Sequence, residues 1–99
     1  MAKYDVFPNP SGDGFLLELQ ADLLSDLNTR VVAPLLPATA SVKVIRRLNP
    51  AFVIDGKQYI MFTHLIATVP VSRLSEPRTN FLRHQDDIVA ALDMLFQGF

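Results

Sequence analysis

The chain has 99 residues and contains no cysteine. That absence excludes disulfides, thiolate metal sites and a cysteine nucleophile. No apolar run approaches the ~18 residues of a membrane-spanning helix, and none follows a basic N-terminus. The sequence therefore predicts a cytoplasmic protein that is neither secreted nor embedded in a membrane. The sequence also lacks a phosphate loop, a dinucleotide-binding fingerprint and a Gly-x-Ser-x-Gly motif, so it has none of these common catalytic or cofactor-binding motifs.

Charge of neither sign dominates, since nine basic side chains stand against ten acidic ones for a net charge of −1. This balance provides no general attraction to nucleic acid, although it is compatible with a local patch. Apolar residues make up 49% of the chain and charged residues 19%, which favours a folded domain. We expect one domain over residues 1–99. Because a small domain buries a smaller fraction of its surface than a larger one, we also expect stabilisation by dimerisation.

Short β-favouring runs separated by turn-forming residues predict a mainly β domain. The predicted strands cover residues 4–7, 15–19, 31–36, 42–45, 52–54, 57–62 and 66–71, with a loop at residues 8–14 and an irregular excursion at residues 22–30. Asp55-Gly56 lies between two of the runs and predicts a type I′ hairpin, because that turn needs positive φ at both positions. Proline removes a ladder donor, so Pro34 should lie in an edge or bulged strand, and Pro70 should place the final strand at an edge or end.

Apolar residues near the C-terminus recur at helical spacing and predict one α-helix. They are Ile88, Val89, Leu92, Leu95 and Phe96. Asp86 and Asp87 precede most of them, where the helix dipole favours negative charge, and Gly98 follows at the usual place of a C-cap. The sequence then ends on Phe99, with no polar tail after it. We expect this end either to pack beside the helix or to be presented to a partner.

Few side chains are candidates for catalysis. His64 and His84 lack the close spacing of a metal pair, and each fits a structural or surface histidine better than a general base. Asp86-Asp87 fits the charge at a helix start better than a metal-binding set. These patterns indicate a small β-rich binding domain rather than an enzyme, and they predict no cofactor and no metal.

Two adjacent pairs have both a structural and a functional interpretation. Arg46-Arg47 is either solvated or able to meet a phosphate or an acidic partner. Leu23-Leu24 is predicted from hydrophobicity alone to pack in the core.

Five blocks of the sequence stand in an order that is typical of a known family. They are Asp22-Leu23-Leu24, Arg30-Val31-Val32-Ala33-Pro34-Leu35, Asn49-Pro50-Ala51-Phe52-Val53-Ile54-Asp55-Gly56, Met61 followed by Ala67-Thr68-Val69-Pro70-Val71-Ser72, and the ending from Asp87-Ile88 to Met94-Leu95-Phe96-Gln97-Gly98-Phe99. Together these blocks span nearly the whole chain and resemble the CcdB toxin family. The resemblance implies an SH3-like β-barrel of the CcdB–MazF type, an antiparallel sheet with one C-terminal helix, assembled as a homodimer.

The same resemblance implies a function. It is that of the toxin of a plasmid or chromosomal toxin–antitoxin pair, a non-enzymatic protein that binds the DNA gyrase A subunit and traps the topoisomerase on cleaved DNA. A small CcdA-like antitoxin neutralises such toxins through a disordered tail that folds on binding, and toxin and antitoxin together repress transcription at their own operator. On these grounds the gyrase-binding residues are expected to be Leu23, Leu24, Asp93, Phe96, Gln97, Gly98 and Phe99.

The ending departs from the family pattern, which is Phe-Trp-Gly-Ile. Gln97 stands in place of the tryptophan that contacts gyrase, and Asp93 stands in place of an asparagine. Three interpretations follow. Phe99 takes over the stacking, or the protein has lost gyrase poisoning and keeps only antitoxin binding and regulation, or it acts on a gyrase with a changed surface.

A MazF-like endoribonuclease on the same fold is the enzymatic alternative. RNA cleavage needs a base and a cation that stabilises the phosphate. The candidates for these roles are His64, Arg46 and Arg47, and the balanced net charge disfavours this function.

Overall fold

Strands make up most of the regular structure in the computed structural model, which describes residues 2–39 and 43–99. They are β1 (Asp5–Pro8), β2 (Phe15–Glu18), β3 (Thr29–Pro37), β4 (Ala51–Ile54), β5 (Lys57–Met61), β6 (Ala67–Pro70) and β7 (Thr79–Asn80). Within the described ranges one α-helix, α1, covers Gln85–Gln97, and short 3₁₀ helices cover Asp22–Leu24, Thr63–Leu65, Val71–Arg73 and Leu82–His84. The mainly β architecture with a C-terminal helix confirms the predicted fold class.

One antiparallel sheet contains these strands in the spatial order β4-β5-β3-β2-β1-β7, with β6 paired to the first half of β3. The sheet curls into a half-barrel, so that its two end strands approach each other. The ring of Phe52 in β4 lies 4.9 Å from the ring of Phe81, which directly follows β7. The Asp55 carboxylate pairs with Arg78 beside β7. Side chains from both ends of the sheet therefore close the gap in the barrel.

The apolar core lies inside this curl. Its fully buried side chains include Val6, Phe7, Leu17, Leu35, Met61, Phe81 and Ile88. Alternation along β4 places Phe52 and Ile54 inside and leaves Ala51 and Val53 exposed, as expected for a strand with one face on the core. The helix α1 covers this core with Ile88 and Ala91, both buried.

The strand that carries Pro34 is central in the sheet, so the prediction of an edge or bulged strand is wrong. β3 pairs with β2 without interruption across the Leu16–Pro34 position. On its other side β3 pairs with β6 as far as Val32 and with β5 from Leu35 onward. Pro34 lies at this change of partner, where its carbonyl accepts a hydrogen bond from the Phe62 N–H at 2.9 Å. The N–H that proline lacks therefore falls between two partner strands rather than within a ladder.

The predicted Asp55-Gly56 hairpin is confirmed. The two residues have φ of 55° and 79°, as a type I′ turn requires, and they join β4 to β5 with Ile54 opposite Lys57. The position of β6, paired with β3 at the edge of the sheet, also agrees with the prediction from Pro70.

The predicted strand over residues 42–45 is wrong for the part that can be assessed. Val42 lies outside the described residues, and Lys43 to Ile45 have no regular structure. The Ile45 N–H donates to Oδ1 of Asn49 at 3.0 Å, and the Asn49 N–H donates to the Ile45 carbonyl at 2.7 Å. Such local bonding by an asparagine competes with a strand ladder and turns the chain instead.

The strand β7 is not predicted from the sequence. It has only two residues, Thr79 and Asn80, and therefore no apolar alternation. Its place beside β1 comes from the side-chain amide of Asn80, which donates to the Lys3 carbonyl at 3.0 Å and to Oδ1 of Asp5 at 2.9 Å. A tertiary contact thus creates the strand.

Candidate functional site

The end of α1 presents its last residues to solvent. Phe96 and Phe99 are 69% and 70% exposed, and Gln97 and Gly98 are exposed as well. Gly98 has a φ of 80°, and its N–H donates to the Met94 carbonyl at 3.1 Å, so a left-handed cap closes the helix. We call residues 96–99 the terminal segment. Of the two expectations for Phe99, presentation agrees with this exposure and packing beside the helix does not.

A second apolar surface lies on residues 21–28, which we call the leucine loop. Leu23 is 92% exposed, and Leu24 and Leu27 are 46% and 51% exposed. The prediction that Leu23-Leu24 packs in the core is therefore wrong. The predicted irregular excursion over residues 22–30 is confirmed as far as residue 28, where regular structure is limited to the 3₁₀ turn over Asp22–Leu24, and it is wrong for Thr29 and Arg30, which begin β3.

A buried arginine holds the leucine loop from beneath. Arg30 is only 4% exposed. Its Nη1 donates to the carbonyl oxygens of Leu27 at 2.6 Å and Thr29 at 2.9 Å, and its Nη2 donates to that of Ser25 at 2.7 Å. The counter-charge is Glu18, whose Oε2 lies 3.5 Å from Nε of Arg30. The loop is thus held by polar bonds, which explains why its leucines need not be buried.

Sequence reasoning missed the Glu18–Arg30 pair. The one available signal was a glutamate within the apolar run Leu17-Glu18-Leu19. A polar residue in an alternating strand is normally expected to face solvent. Here β2 lies between β1 and β3, and Glu18 is 2% exposed.

The environment of Glu18 makes its ionised form costly. Burial raises the pKa of the Glu18 carboxyl, the Arg30 guanidinium opposes this shift, and the Asp5 carboxylate adds to it. Within the described part of the chain Oε1 of Glu18 has no hydrogen-bond partner. A buried charge with only one partner at 3.5 Å gains little from that pairing relative to its loss of hydration.

Glu18→Gln is expected to change how stability depends on pH. Because the folded protein holds the Glu18 proton more tightly than the unfolded chain, wild type binds more protons when folded and loses stability as pH rises from about 4.3 through the raised folded pKa. The glutamine side chain of the variant does not titrate. The free energy of unfolding of wild type minus that of the variant should therefore fall with rising pH, by at most ~1.4 kcal/mol per pH unit. Urea unfolding of both proteins from about pH 4, near the ordinary pKa of glutamate, to about pH 8 measures this difference. A difference that rises with pH would contradict the account.

The predicted site residues fall into two groups that different elements hold. Leu23 and Leu24 belong to the leucine loop, which is bonded to Lys3, Gln20 and Arg30. Residues 93–99 belong to α1 and its cap, and α1 packs against the 3₁₀ turns Thr63–Leu65 and Leu82–His84. Asp93, the one charged member, is half-buried and the terminal segment is exposed. One chain therefore presents two apolar surfaces with separate supports.

The candidates for RNA chemistry lie around the turn at residues 46–48. His64 lines a cavity of about 460 Å³ together with Lys43, Val44 and Leu48, and this lining is mostly apolar. Arg46 lines a different cavity, of about 600 Å³. Arg46 and Arg47 are exposed, which agrees with the solvated interpretation. The structure therefore places His64 and Lys43 on the lining of one cavity and Arg46 on that of another.

His84 has a structural environment. Its ring lies 4.9 Å from the rings of both Phe52 and Phe81, next to the gap in the barrel. Burial lowers the pKa of His84, and the nearby Arg83 lowers it further, while Asp87 opposes both. Because its imidazole packs on two phenylalanines, His84 has a structural role at the edge of the core.

Residues 2–39 and 43–99 contain no group of three or more histidine, aspartate or glutamate side chains arranged to hold a metal ion. Asp86 and Asp87 lie in the first turn of α1, the position predicted for them. No helix in the same residues has the length and apolar character needed to cross a membrane.

Two solved structures have this fold. A crystal structure of an Mtb toxin matches with a TM-score of 0.70 at 15% identity, covering 92% of this chain and 99% of that one. The Mycobacterium tuberculosis toxin MazF-mt6 matches with a TM-score of 0.71 at 15% identity, covering 93% and 95%. At this identity the likeness shows the fold alone. The class of fold that this chain shares with them is a curled antiparallel sheet with one C-terminal helix.

Sequence comparison identifies the family within that class. The family described as CcdB protein matches residues 3–98. The chain belongs to the CcdB family, which confirms the resemblance in the sequence. At the coarser level of function, it is a toxin of the toxin–antitoxin type.

Proposed function

We propose that this protein binds the A subunit of DNA gyrase and poisons the topoisomerase on cleaved DNA. The observation that carries the proposal is the capped and exposed terminal segment, at the end of a chain that belongs to the CcdB family. The protein acts by binding and makes or breaks no bond itself, so it is not an enzyme.

The aromatic side chains of the terminal segment support this function despite the loss of the family tryptophan. An aromatic ring stacked on an arginine or lysine contributes roughly 0.5–2 kcal/mol. Gln97 can donate and accept hydrogen bonds but cannot stack in this way. Phe99 lies two residues beyond it and is 70% exposed, so its ring is available for stacking. We assign the stacking role to Phe99.

The active form in this proposal is a homodimer. Exposed apolar side chains lie on α1 and on the two turns packed against it, with Val89 at 39%, Leu65 at 50% and Leu82 at 61% exposure. Such residues are suited to an interface, and stable interfaces bury about 1,200–2,000 Å² in total. A two-fold dimer would also present two terminal segments and two leucine loops, which strengthens binding to a partner with repeated sites.

The remaining partners follow from family membership. A small CcdA-like antitoxin would neutralise the toxin in the cytoplasm, and the complex would repress its own operon, whether on a plasmid or a chromosome. With a net charge of −1, the toxin would reach operator DNA only through the antitoxin complex.

Binding to the purified gyrase A subunit tests the proposal, and restoring the family tryptophan sharpens it. Gln97→Trp is expected to tighten the dissociation constant roughly 5- to 30-fold for each tryptophan of the dimer that stacks, at about 1–2 kcal/mol per stacking interaction. Phe99→Ala should weaken it by a comparable factor. Val53→Ala is the matched control, because Val53 is 61% exposed on β4 and lies outside both surfaces. Absence of any binding by wild type and by Gln97→Trp would contradict the proposal.

A MazF-like endoribonuclease is the second candidate, favoured by the fold it shares with MazF-mt6 and by a cavity that both His64 and Lys43 line. His64 would act as the base and Lys43, Arg46 or Arg47 as the cation near the phosphate. Incubation of the pure protein with total RNA separates the two functions. RNA that stays intact at high protein concentration would rule out the endoribonuclease function. RNA cleavage by the wild type that His64→Ala abolishes would instead support that function in place of gyrase binding.

A further inference from the structure

The leucine loop has no apolar anchor of its own. Leu23, Leu24 and Leu27 are each at least 46% exposed, and the 3₁₀ turn over Asp22–Leu24 contains no buried residue. A segment with so little apolar burial is normally mobile, because burial is the main force that offsets its conformational entropy. Its conformation must therefore come from its polar contacts.

Two buried side chains supply several of those contacts. The guanidinium of Arg30 donates to the carbonyls of Ser25, Leu27 and Thr29. The amide of Gln20, which is 8% exposed, donates to the carbonyls of Leu24 at 3.1 Å and Thr29 at 3.2 Å. Four different carbonyls, from residue 24 to residue 29, thus meet donors that lie beneath the loop.

Both anchors are fixed to the sheet, which makes them a rigid support. The Gln20 Oε1 accepts from the Val31 N–H of β3 at 3.2 Å, and Arg30 lies in β3 itself. Glu18 in β2 lies beside the guanidinium, with its Oε2 3.5 Å from Nε of Arg30. A planar guanidinium is suited to this role, because its donors point in fixed directions toward several acceptors at once.

We propose that Arg30 and Gln20 are positioning residues that hold the leucine loop in the conformation in which Leu23 is presented to the partner. This inference rests on the proposed function, since the partner is the gyrase A subunit. Neither residue touches that partner, because both are buried beneath the loop. Their effect on recognition passes through the backbone carbonyls of residues 24–29. Fixing the loop before binding removes an entropy cost that a mobile loop would add to each encounter.

A double-mutant cycle on gyrase binding tests the proposal. Leu23→Ala alone should weaken binding about tenfold, a typical loss for an anchor residue. Arg30→Lys keeps the charge opposite Glu18 but not the forked donors, and it should weaken binding by a similar factor. If Arg30 acts through the loop, the double variant should bind no more than about twofold more weakly than the weaker single variant. Losses that multiply to about a hundredfold would overturn the proposal.

Controls separate positioning from general destabilisation. Val6→Ala removes buried core volume in β1 and should lower stability without affecting the loop, so its effect on binding and that of Leu23→Ala should multiply. If Arg30→Lys folds poorly, Gln20→Ala tests the same proposal, because it removes the other buried donor beneath the loop. It is expected to show the same non-additivity with Leu23→Ala.

Amide hydrogen exchange provides a readout without gyrase. The N–H groups of Leu24, Ser25 and Leu27 donate within the loop. Their exchange should accelerate at least about tenfold in Arg30→Lys, while amides of β2 and β5 stay as in wild type. Unchanged loop exchange would overturn the positioning role whatever gyrase does. Fast loop exchange with no gyrase binding by wild type would overturn gyrase as the partner and leave the anchoring supported, so the two failures are distinguishable.

Discussion

Removal of Gln97, Gly98 and Phe99 is expected to abolish growth arrest while the domain stays folded. The three residues are exposed, and the main bond lost is the Gly98 N–H to the Met94 carbonyl. The free energy of unfolding should therefore fall by less than about 1 kcal/mol. Hot-spot side chains typically contribute ~2 kcal/mol or more to binding, so removal of the whole segment should weaken gyrase binding more than about 100-fold.

The measurement pairs growth after induced expression with urea unfolding of the purified variant. Val53→Ala again serves as the control for loss of an exposed apolar side chain, and it should remain fully toxic. A truncated protein that still arrests growth at the wild-type level would contradict the assignment of the terminal segment. A truncated protein that unfolds would show instead that this segment has a structural role.

Gly14→Ala is expected to cause the largest loss of stability from a single methyl group. Gly14 has a φ of +92°, a backbone conformation that residues with a side chain rarely adopt. An added Cβ would also overlap the carbonyl oxygen of Leu35 in β3. The carbonyl belongs to the central strand and cannot move freely. Backbone strain of about 1–2 kcal/mol and overpacking of about 1–3 kcal/mol together predict a loss of roughly 2–5 kcal/mol.

Gly12→Ala is the matched control for that substitution. It lies two residues earlier in the same loop, and a Cβ there meets no atom within 4 Å. Its free energy of unfolding should change by no more than about 0.5 kcal/mol. Equal stability of the two variants, measured by urea unfolding, would contradict the close approach of this loop to β3.

The sequence predicted those elements of the fold that neighbouring residues determine, namely the Asp55-Gly56 hairpin and the C-terminal helix. The Asp55-Gly56 turn needs two positive φ angles, and few residue pairs besides this one accept them, so the hairpin was predictable. The C-terminal helix was predictable because apolar spacing and the Gly98 cap agree. The prediction for Pro34 failed because the sequence does not reveal that β3 changes partner strand at that residue.

The candidate site was only partly predictable. The terminal segment follows from family resemblance and from an aromatic ending, and its exposure agrees with both. The leucine loop was misjudged from hydrophobicity, since nothing local shows that a buried Arg30 and Gln20 replace an apolar anchor. Gln20 and Arg30 flank the loop in the sequence, but their burial depends on how β2 and β3 pair in the folded sheet, and the sequence does not show that pairing.

A DNA cleavage assay tests the central claim most directly. Gyrase from the source organism would be incubated with supercoiled plasmid, ATP and this protein, and linear DNA linked to gyrase would be measured after denaturation. The account predicts that linear DNA accumulates with wild type, increases with Gln97→Trp and disappears with the truncated protein. Absence of linear DNA with both wild type and Gln97→Trp would contradict gyrase poisoning, and antitoxin binding and operon regulation would then be the function to test.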